Sequence, residues 1–181
     1  MHSMAPPIEE SVALLERSPR VLHELLAGLP NAWLSERDTP DGWTARDVLG
    51  HLISAEIEDW IPRAEMIVAE GTARPFEPFD RLAHVERDRD ASLHQLLDRF
   101  AELRAANITR IRELASDTDA MELRGLHPEL GEVTMAQLIA TWTVHDLDHI
   151  AQIYAAIAGS RDVAVGPWKA YLGILQRRDV S

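Results

Sequence analysis

Apolar residues recur at helical spacing in four long segments of the chain, and no segment shows the strict alternation typical of a strand. The four segments are residues 8–29, 45–70, 92–115 and 134–158. A shorter apolar stretch at 166–175 predicts one more helix near the C-terminus. The pattern therefore predicts an all-α four-helix bundle with long connectors and a short extra C-terminal helix. We expect a single domain over residues 1–181, with 1–7 as a disordered lead-in.

Capping and helix-breaking residues delimit these segments. Ser18 followed by Pro19 is a serine N-cap with proline at the first helical position, so the first helix is expected to break there. Pro62 is expected to kink the second helix. Two helix starts match the capping-box pattern, namely Thr44 with Asp47 and Thr134 with Gln137.

Three connectors separate the helices, and none carries a strand pattern. They are residues 31–43, 72–90 and 116–133. The middle one is rich in proline and charge, and loops of its length often act as lids or binding loops. The last one contains His127, which is interpreted as an ordinary loop histidine.

Composition limits which metal ligands and which partners the chain can have. The chain has no cysteine and a formal net charge of −12. A metal ion must therefore be held by histidine or carboxylate ligands. An acidic surface repels phosphate backbones, so we expect no nucleic-acid partner. No apolar run approaches the roughly 20 residues of a membrane span. We therefore expect a cytoplasmic protein with no membrane partner.

His145 and His149 are the first candidate metal ligands. They lie four residues apart on the fourth helix, so they project from one face about one turn apart. That face continues the apolar stripe of Leu138 and Trp142. Two imidazoles so placed can share one metal ion, but they can also be core histidines with other partners. The residue after His145 is Asp146, so the glutamate that serves as base in the HExxH motif is missing.

His51 lies on the polar side of the second helix, opposite the stripe that contains Leu49 and Ile53. Two interpretations follow from periodicity. His51 is a surface residue, or the helix is buried on both sides and its polar face lines a wet cleft. Glu58 lies on the same face two turns further along.

Two motifs resemble those of a known family. They are GWTARDVLGHL, which ends the first connector and starts the second helix, and HDLDHIAQI on the fourth helix. Together with Gly-Leu-Pro after the first helix, they resemble the DinB-like, YfiT-like superfamily of bacterial four-helix-bundle metalloproteins, from about Arg17 to Leu175. The resemblance implies a metal site of three histidines, His51, His145 and His149. It also implies a packing or supporting role for Gln152.

A site of three neutral imidazoles leaves coordination positions open for water or substrate, as reactive metal sites do. Nitrogen ligation suits zinc, nickel, iron or copper, and geometry alone does not choose among them. We expect zinc or nickel, with iron or manganese as alternatives. Two carboxylates are candidate catalytic residues beside the site. Glu58 would act as a base or extra ligand, and Asp148 would orient an imidazole.

The resemblance also implies a function. Relatives include enzymes that transfer low-molecular-weight thiols such as bacillithiol or mycothiol, thiol-dependent isomerases and predicted hydrolases. The first hypothesis is a metal-dependent enzyme that transfers such a thiol cosubstrate to a small electrophilic substrate. The alternatives are a metal-dependent hydrolase, a non-catalytic metal-binding stress-response module and a metal-free bundle. Relatives form dimers, so a homodimer is expected, and the apolar stripe of the second helix could pack inward or against that partner.

Overall fold

The computed structural model describes residues 8–37, 39, 41–117 and 119–176, which form a helical bundle with one small β-hairpin. The helices are α1 (Ile8–Leu15), α2 (Ser18–Leu26), α3 (Asn31–Leu34), α4 (Ala45–Glu58), α5 (Trp60–Glu70), α6 (Ala83–Arg87), α7 (Leu93–Leu114), α8 (Met135–Gly159) and α9 (Gly173–Gln176). The strands are β1 (Arg124–His127) and β2 (Gly131–Thr134). Short 3-10 helices cover Ala120–Glu122 and Gly166–Tyr171. The predicted lead-in, 1–7, lies outside the described residues.

The predicted four-helix bundle is confirmed. Its four rods are the broken helix α1–α2, the broken helix α4–α5, the continuous α7 and the continuous α8. Both α4 and α5 contact α7 and α8, and α1 contacts the same two helices. The apolar stripe of α4 packs inward, since Leu49 and Ile53 are fully buried. None of the helices in the described ranges combines the length and apolar character that a membrane span requires.

The first rod breaks between α1 and α2, as Ser18 and Pro19 predicted. The N-cap position is Arg17, which makes no side-chain capping bond, so the prediction of Ser18 as the cap is wrong by one residue. Pro19 has no N–H to donate to the carbonyl of Leu15, four residues earlier. That carbonyl instead accepts a hydrogen bond from Nη1 of Arg104 at 2.9 Å. The break therefore supplies a backbone acceptor to the core.

The second rod breaks at Asp59, where φ is −110° and ψ is −70°. The proline ring of Pro62 clashes with the carbonyl four residues earlier, which explains a break at this position. Both capping boxes are confirmed. Thr44 accepts a bond from the backbone N–H of Asp47 at 3.2 Å, and Thr134 accepts one from that of Gln137 at 3.1 Å.

The three connectors contain structure that the sequence pattern did not predict: α3, α6 and the hairpin. The expectation of no strand is wrong for residues 124–134, where β1 pairs antiparallel with β2. Strands of four residues are too short for alternation to stand out. Gly125 allows the hairpin to lie against Phe76, because a Cβ at this glycine would come within 2.6 Å of the phenylalanine ring.

A layer of buried charge separates two hydrophobic halves of the core. On α7, Phe100 belongs to one half and Ile108 to the other, with Arg104 between them. Nη2 of Arg104 lies 2.7 Å from Oε1 of Glu56, and Nη1 lies 2.6 Å from Oδ2 of Asp146. We call Glu56, Arg104 and Asp146 the ion-pair cluster. It ties α4, α7 and α8 together at the middle of the bundle.

Candidate metal centre

Helices α4 and α8 bring His51, His145 and His149 together, and we call these three residues the histidine centre. One ring nitrogen from each lies within 4.8 Å of those of the other two. His51 is 3% exposed and His149 is 9% exposed. Of the two interpretations of His51, the structure selects the second, because α4 is buried on both sides. The polar face of α4 forms one wall of a cleft, and α8 forms the other.

The nitrogen positions fit a shared metal ion. Nε2 of His51 lies 3.2 Å from Nε2 of His145. Two nitrogens bound to one zinc ion at about 2.0–2.1 Å are roughly 2.8 to 3.4 Å apart for bond angles of about 90° to 110°. The observed distance therefore needs no rearrangement of these two rings.

Hydrogen bonding also fits a metal ligand set. Nδ1 of His149 lies 2.7 Å from Oε1 of Gln152. A neutral His149 that donates from Nδ1 leaves the lone pair of Nε2 for a metal, and the amide fixes the ring orientation. In the described part of the chain, Nδ1 of His51 and Nδ1 of His145 have no well-formed hydrogen bond. The backbone of Arg81 lies close to His51 and has a small raising effect on the pKa of His51, which other causes outweigh.

Burial keeps the centre uncharged. The pKa of His51 and of His145 is lowered to about 3, mainly because the rings are removed from water and in part because of the neighbouring His149. Burial also lowers the pKa of His149, although the bond to Gln152 opposes this. All three imidazoles are therefore neutral near pH 7, which is the form that binds metals. The donor set fits a divalent metal ion.

A cavity of about 510 Å³ opens beside the histidine centre. Its walls are mostly apolar and include Trp60, Phe79 and Leu138. The β-hairpin contributes His127 and the turn that follows to its walls. Nδ1 of His127 accepts bonds from the backbone N–H groups of residues 129 and 130, each at 3.2 Å. His127 is therefore the last residue of β1 and lines the cavity. The prediction that it is an ordinary loop histidine is wrong.

A second cavity of about 890 Å³ also borders the histidine centre, at His149. Trp43, Asp148 and Gln152 contribute to its walls. The two cavities share two lining residues, His149 and Arg81. The histidine centre therefore lies at the junction of two spaces, each large enough for a small molecule.

The two candidate carboxylates differ in position. Glu58 is exposed at the last residue of α4 and lines neither cavity. The helix breaks directly after it, so Asp59 faces the first cavity instead and pairs with Arg63 at 2.5 Å. Asp148 is also exposed, but it lines the second cavity, and its charge raises the pKa of His149. The structure thus brings Asp148, and not Glu58, to the site.

Three residues around the centre were not predicted from the sequence. The ring centroid of Trp43 lies 4.9 Å from that of His51 and 5.2 Å from that of His84. His84 is buried on α6 and packs against Gly50, where a Cβ would come within 3.0 Å of it. Trp43 directly precedes Thr44, the N-cap of α4. Its place inside the motif GWTARDVLGHL is the sequence feature that could have marked it as a site residue. Arg81 lies in the connector whose length suggested a lid or binding loop.

Comparison with known proteins gives three findings. The model of the family described as the DinB superfamily matches residues 14–153, a range that contains all three histidines. A protein of Oceanobacillus iheyensis, provisionally named a metal-dependent hydrolase, is 28% identical over 147 residues, which cover 81% of this chain and 83% of that protein. The solved structure of YfiT from Bacillus subtilis is described as a probable metal-dependent hydrolase with an unusual four-helix bundle topology. It matches with a TM-score of 0.73 at 23% identity, over 85% of this chain and 88% of that one.

Proposed function

The chain belongs to the DinB superfamily, and on that premise we propose that it is a metal-dependent enzyme that acts on a small molecule at the histidine centre. One observation carries the proposal: three neutral imidazoles, two buried and that of His145 partly buried, converge on one point beside a cavity of about 510 Å³. The names of the Oceanobacillus and Bacillus relatives support hydrolysis as the reaction.

The chain's own residues supply the binding and orientation. His51, His145 and His149 would hold the ion, and Gln152 fixes the ring of His149. A divalent ion bound there supplies Lewis acidity that activates a nucleophile and polarises an electrophile. Nitrogen ligation favours zinc or nickel, with iron or manganese as alternatives. Trp60 and Phe79 would exclude water from the apolar part of the substrate.

In the hydrolytic reaction, Asp148 is the proposed proton acceptor. A bond forms between the oxygen of water and the electrophilic carbon of the substrate, and the bond from that carbon to the leaving group breaks. The carboxylate of Asp148 takes the proton of water and passes it to the leaving group. Its place on the wall of the second cavity, next to His149, supports this role.

Thiol transfer is the second candidate, and the junction of two cavities favours it. A two-substrate reaction needs two binding spaces that meet at the reacting atoms. A sulfur–carbon bond would form, the bond to the leaving group would break, and Asp148 would take the thiol proton. The chain has no cysteine, so the thiol would come from a small cosubstrate.

Metal content tests the centre. Wild-type protein is expected to retain one divalent ion per chain after dialysis, whereas His51→Ala and His149→Ala lose it. His94→Ala is the matched control, because His94 is exposed on α7 and pairs with Asp98. Retention of metal by both site variants would end the proposal.

Turnover tests the reaction. Protein loaded with zinc, nickel, manganese or iron is assayed for hydrolysis of activated esters and for thiol-dependent consumption of an electrophile. Asp148→Asn is expected to lower the turnover rate of whichever reaction is observed at least about tenfold, because it removes the proton acceptor. Glu58→Gln is the control and should match wild type. Absence of both activities with every metal would favour the non-catalytic metal-binding module.

A homodimer remains part of the proposal. The stripe of α4 is buried in the bundle, so it is not the contact. The outer face of α8 exposes Val144 by 62% and Leu147 by 47%, which supports association through that face. Light scattering after size exclusion is expected to give twice the chain mass of 20.3 kDa. A monomer at micromolar concentration would remove the dimer.

A further inference from the structure

Arg81 occupies the junction of the two cavities. It is exposed, and it lines both spaces together with His149. Its guanidinium carbon lies 6.0 Å from the ring centroid of Trp43, which in turn packs on His51. An arginine at this position can reach a molecule bound in either cavity.

Among the described residues, no carboxylate oxygen lies within 4.0 Å of the guanidinium nitrogens of Arg81. Other arginines of the same segment are paired: Arg74 with Glu70, Arg87 with Asp88 and Arg89 with Glu86. The carboxylates that line the cavities do not pair with it. Asp59 pairs with Arg63, and Asp148 and Glu129 each line one cavity beyond ion-pair distance from it.

The charge of Arg81 acts on the histidine centre. It lowers the pKa of each of the three histidines. A positive charge close to a metal site also opposes binding of the metal cation. An unpaired arginine here therefore has an electrostatic cost, which a bound anion would offset.

We propose that Arg81 is the specificity residue of the site, and that it binds the carboxylate of a substrate whose apolar part occupies the cavity lined by Trp60, Phe79 and Leu138. The planar guanidinium pairs with a carboxylate through two parallel hydrogen bonds, which fixes orientation as well as position. The inference rests on the proposed function only in placing the reacting atom of that substrate at the histidine centre.

Two matched probes test the proposal by binding, without turnover. Phenylacetate carries the carboxylate and phenylacetamide is its neutral counterpart. Calorimetry or NMR titration measures both against the full chain, zinc-loaded and metal-free. Wild type is expected to bind phenylacetate about tenfold more tightly than the amide in both forms. Arg81→Gln should remove the preference, and Arg81→Lys should keep part of it. Arg89→Gln is the control from the same segment and should keep all of it.

The metal-free arm separates this inference from the proposed function. If the chain binds no zinc, the proposed function fails, while the carboxylate preference of the metal-free protein still tests Arg81. A preference that survives Arg81→Gln would mean that the metal or another group binds the carboxylate, and it overturns the inference. Equal binding of the two probes by wild type overturns it as well.

Discussion

Two polar clusters in the interior each include residues of α8, and they differ in how completely the protein satisfies their hydrogen bonds. In the ion-pair cluster, all three nitrogens of Arg104 donate, to Glu56, to Asp146 and to the carbonyl of Leu15. In the histidine centre, two Nδ1 atoms have no well-formed bond within the described residues. His145 and Asp146 are neighbours in the chain, yet they belong to different clusters. A satisfied cluster stabilises the fold, whereas an unsatisfied one is expected where a ligand completes it.

Burial disfavours charge in both clusters, yet the ion-pair cluster stays charged and the histidine centre stays neutral. Burial raises the pKa of Glu56, but Arg104, Asn107 and Trp142 all donate to its oxygens and so favour the carboxylate. Burial opposes the charge of Arg104 too, yet the two carboxylates raise its pKa above the ordinary value. Among the described residues, the three histidines form no ion pair with a carboxylate; Asp146 and Asp148 only partly oppose the effect of burial on His149, and the histidines stay neutral. Pairing therefore preserves charge in one cluster, and its absence yields metal ligands in the other.

The largest effect is expected from Arg104→Met. It leaves Glu56 and Asp146 buried without a counter-charge, which typically costs about 3 to 5 kcal/mol in the free energy of unfolding. Urea unfolding of metal-free protein measures it. Arg110→Met is the control on the same helix, because Arg110 forms only exposed pairs, and it should cost below about 1 kcal/mol. Equal losses in the two variants would erase the distinction between the clusters.

Loss of a histidine should act on metal binding rather than on folding. His51→Ala is expected to weaken divalent-metal affinity more than about 100-fold, beyond the effect of losing a supporting residue. The free energy of unfolding of metal-free protein should change by no more than about 1–2 kcal/mol, because the lost packing is offset by removal of an unsatisfied nitrogen. Metal titration and urea unfolding measure the two. A loss of folding as large as that of Arg104→Met would contradict this view of the centre.

The third prediction concerns pH. His145 has a pKa of about 3 in the folded protein, against about 6.5 in the unfolded chain. Between these values the unfolded chain binds more protons, so the free energy of unfolding falls as pH falls. Metal-free His145→Ala should lose less stability than wild type between about pH 6.5 and 5.5, by up to ~1.4 kcal/mol per pH unit. Urea unfolding in the presence of a chelator measures both slopes, and identical slopes would show that His145 is not held neutral.

The smallest effect is expected at Gln152, which acts through His149. Gln152→Ala should weaken metal affinity about tenfold and leave folding almost unchanged. Gln152→Glu keeps an acceptor for Nδ1 and should retain the affinity. Competition with a metal indicator measures both variants. If the glutamate variant loses as much affinity as the alanine variant, then orientation of His149 is not the function of this side chain.

Helix caps and prolines act on residues a few positions away, and these are the parts of the fold that the sequence predicts. Thr44 and Thr134 start their helices because their side chains accept bonds from the first turn, and both bonds are present. Pro62 breaks its helix because it cannot continue the backbone ladder. These effects involve residues within a few positions of one another, so the sequence contains all the information needed. The short hairpin was missed because four residues per strand carry too little pattern.

The sequence by itself determined the four long helical segments, the breaks near Pro19 and Pro62, and that His145 and His149 share one helical face. Only the tertiary structure decided which faces are buried. Periodicity placed His51 opposite an apolar stripe, and burial of both sides of α4 depends on α8 and on the segment that holds Arg81. Arg104 is buried because Glu56, Asp146 and a carbonyl freed by Pro19 meet it from three other helices. Such contacts join residues far apart in the chain, and no local pattern records them.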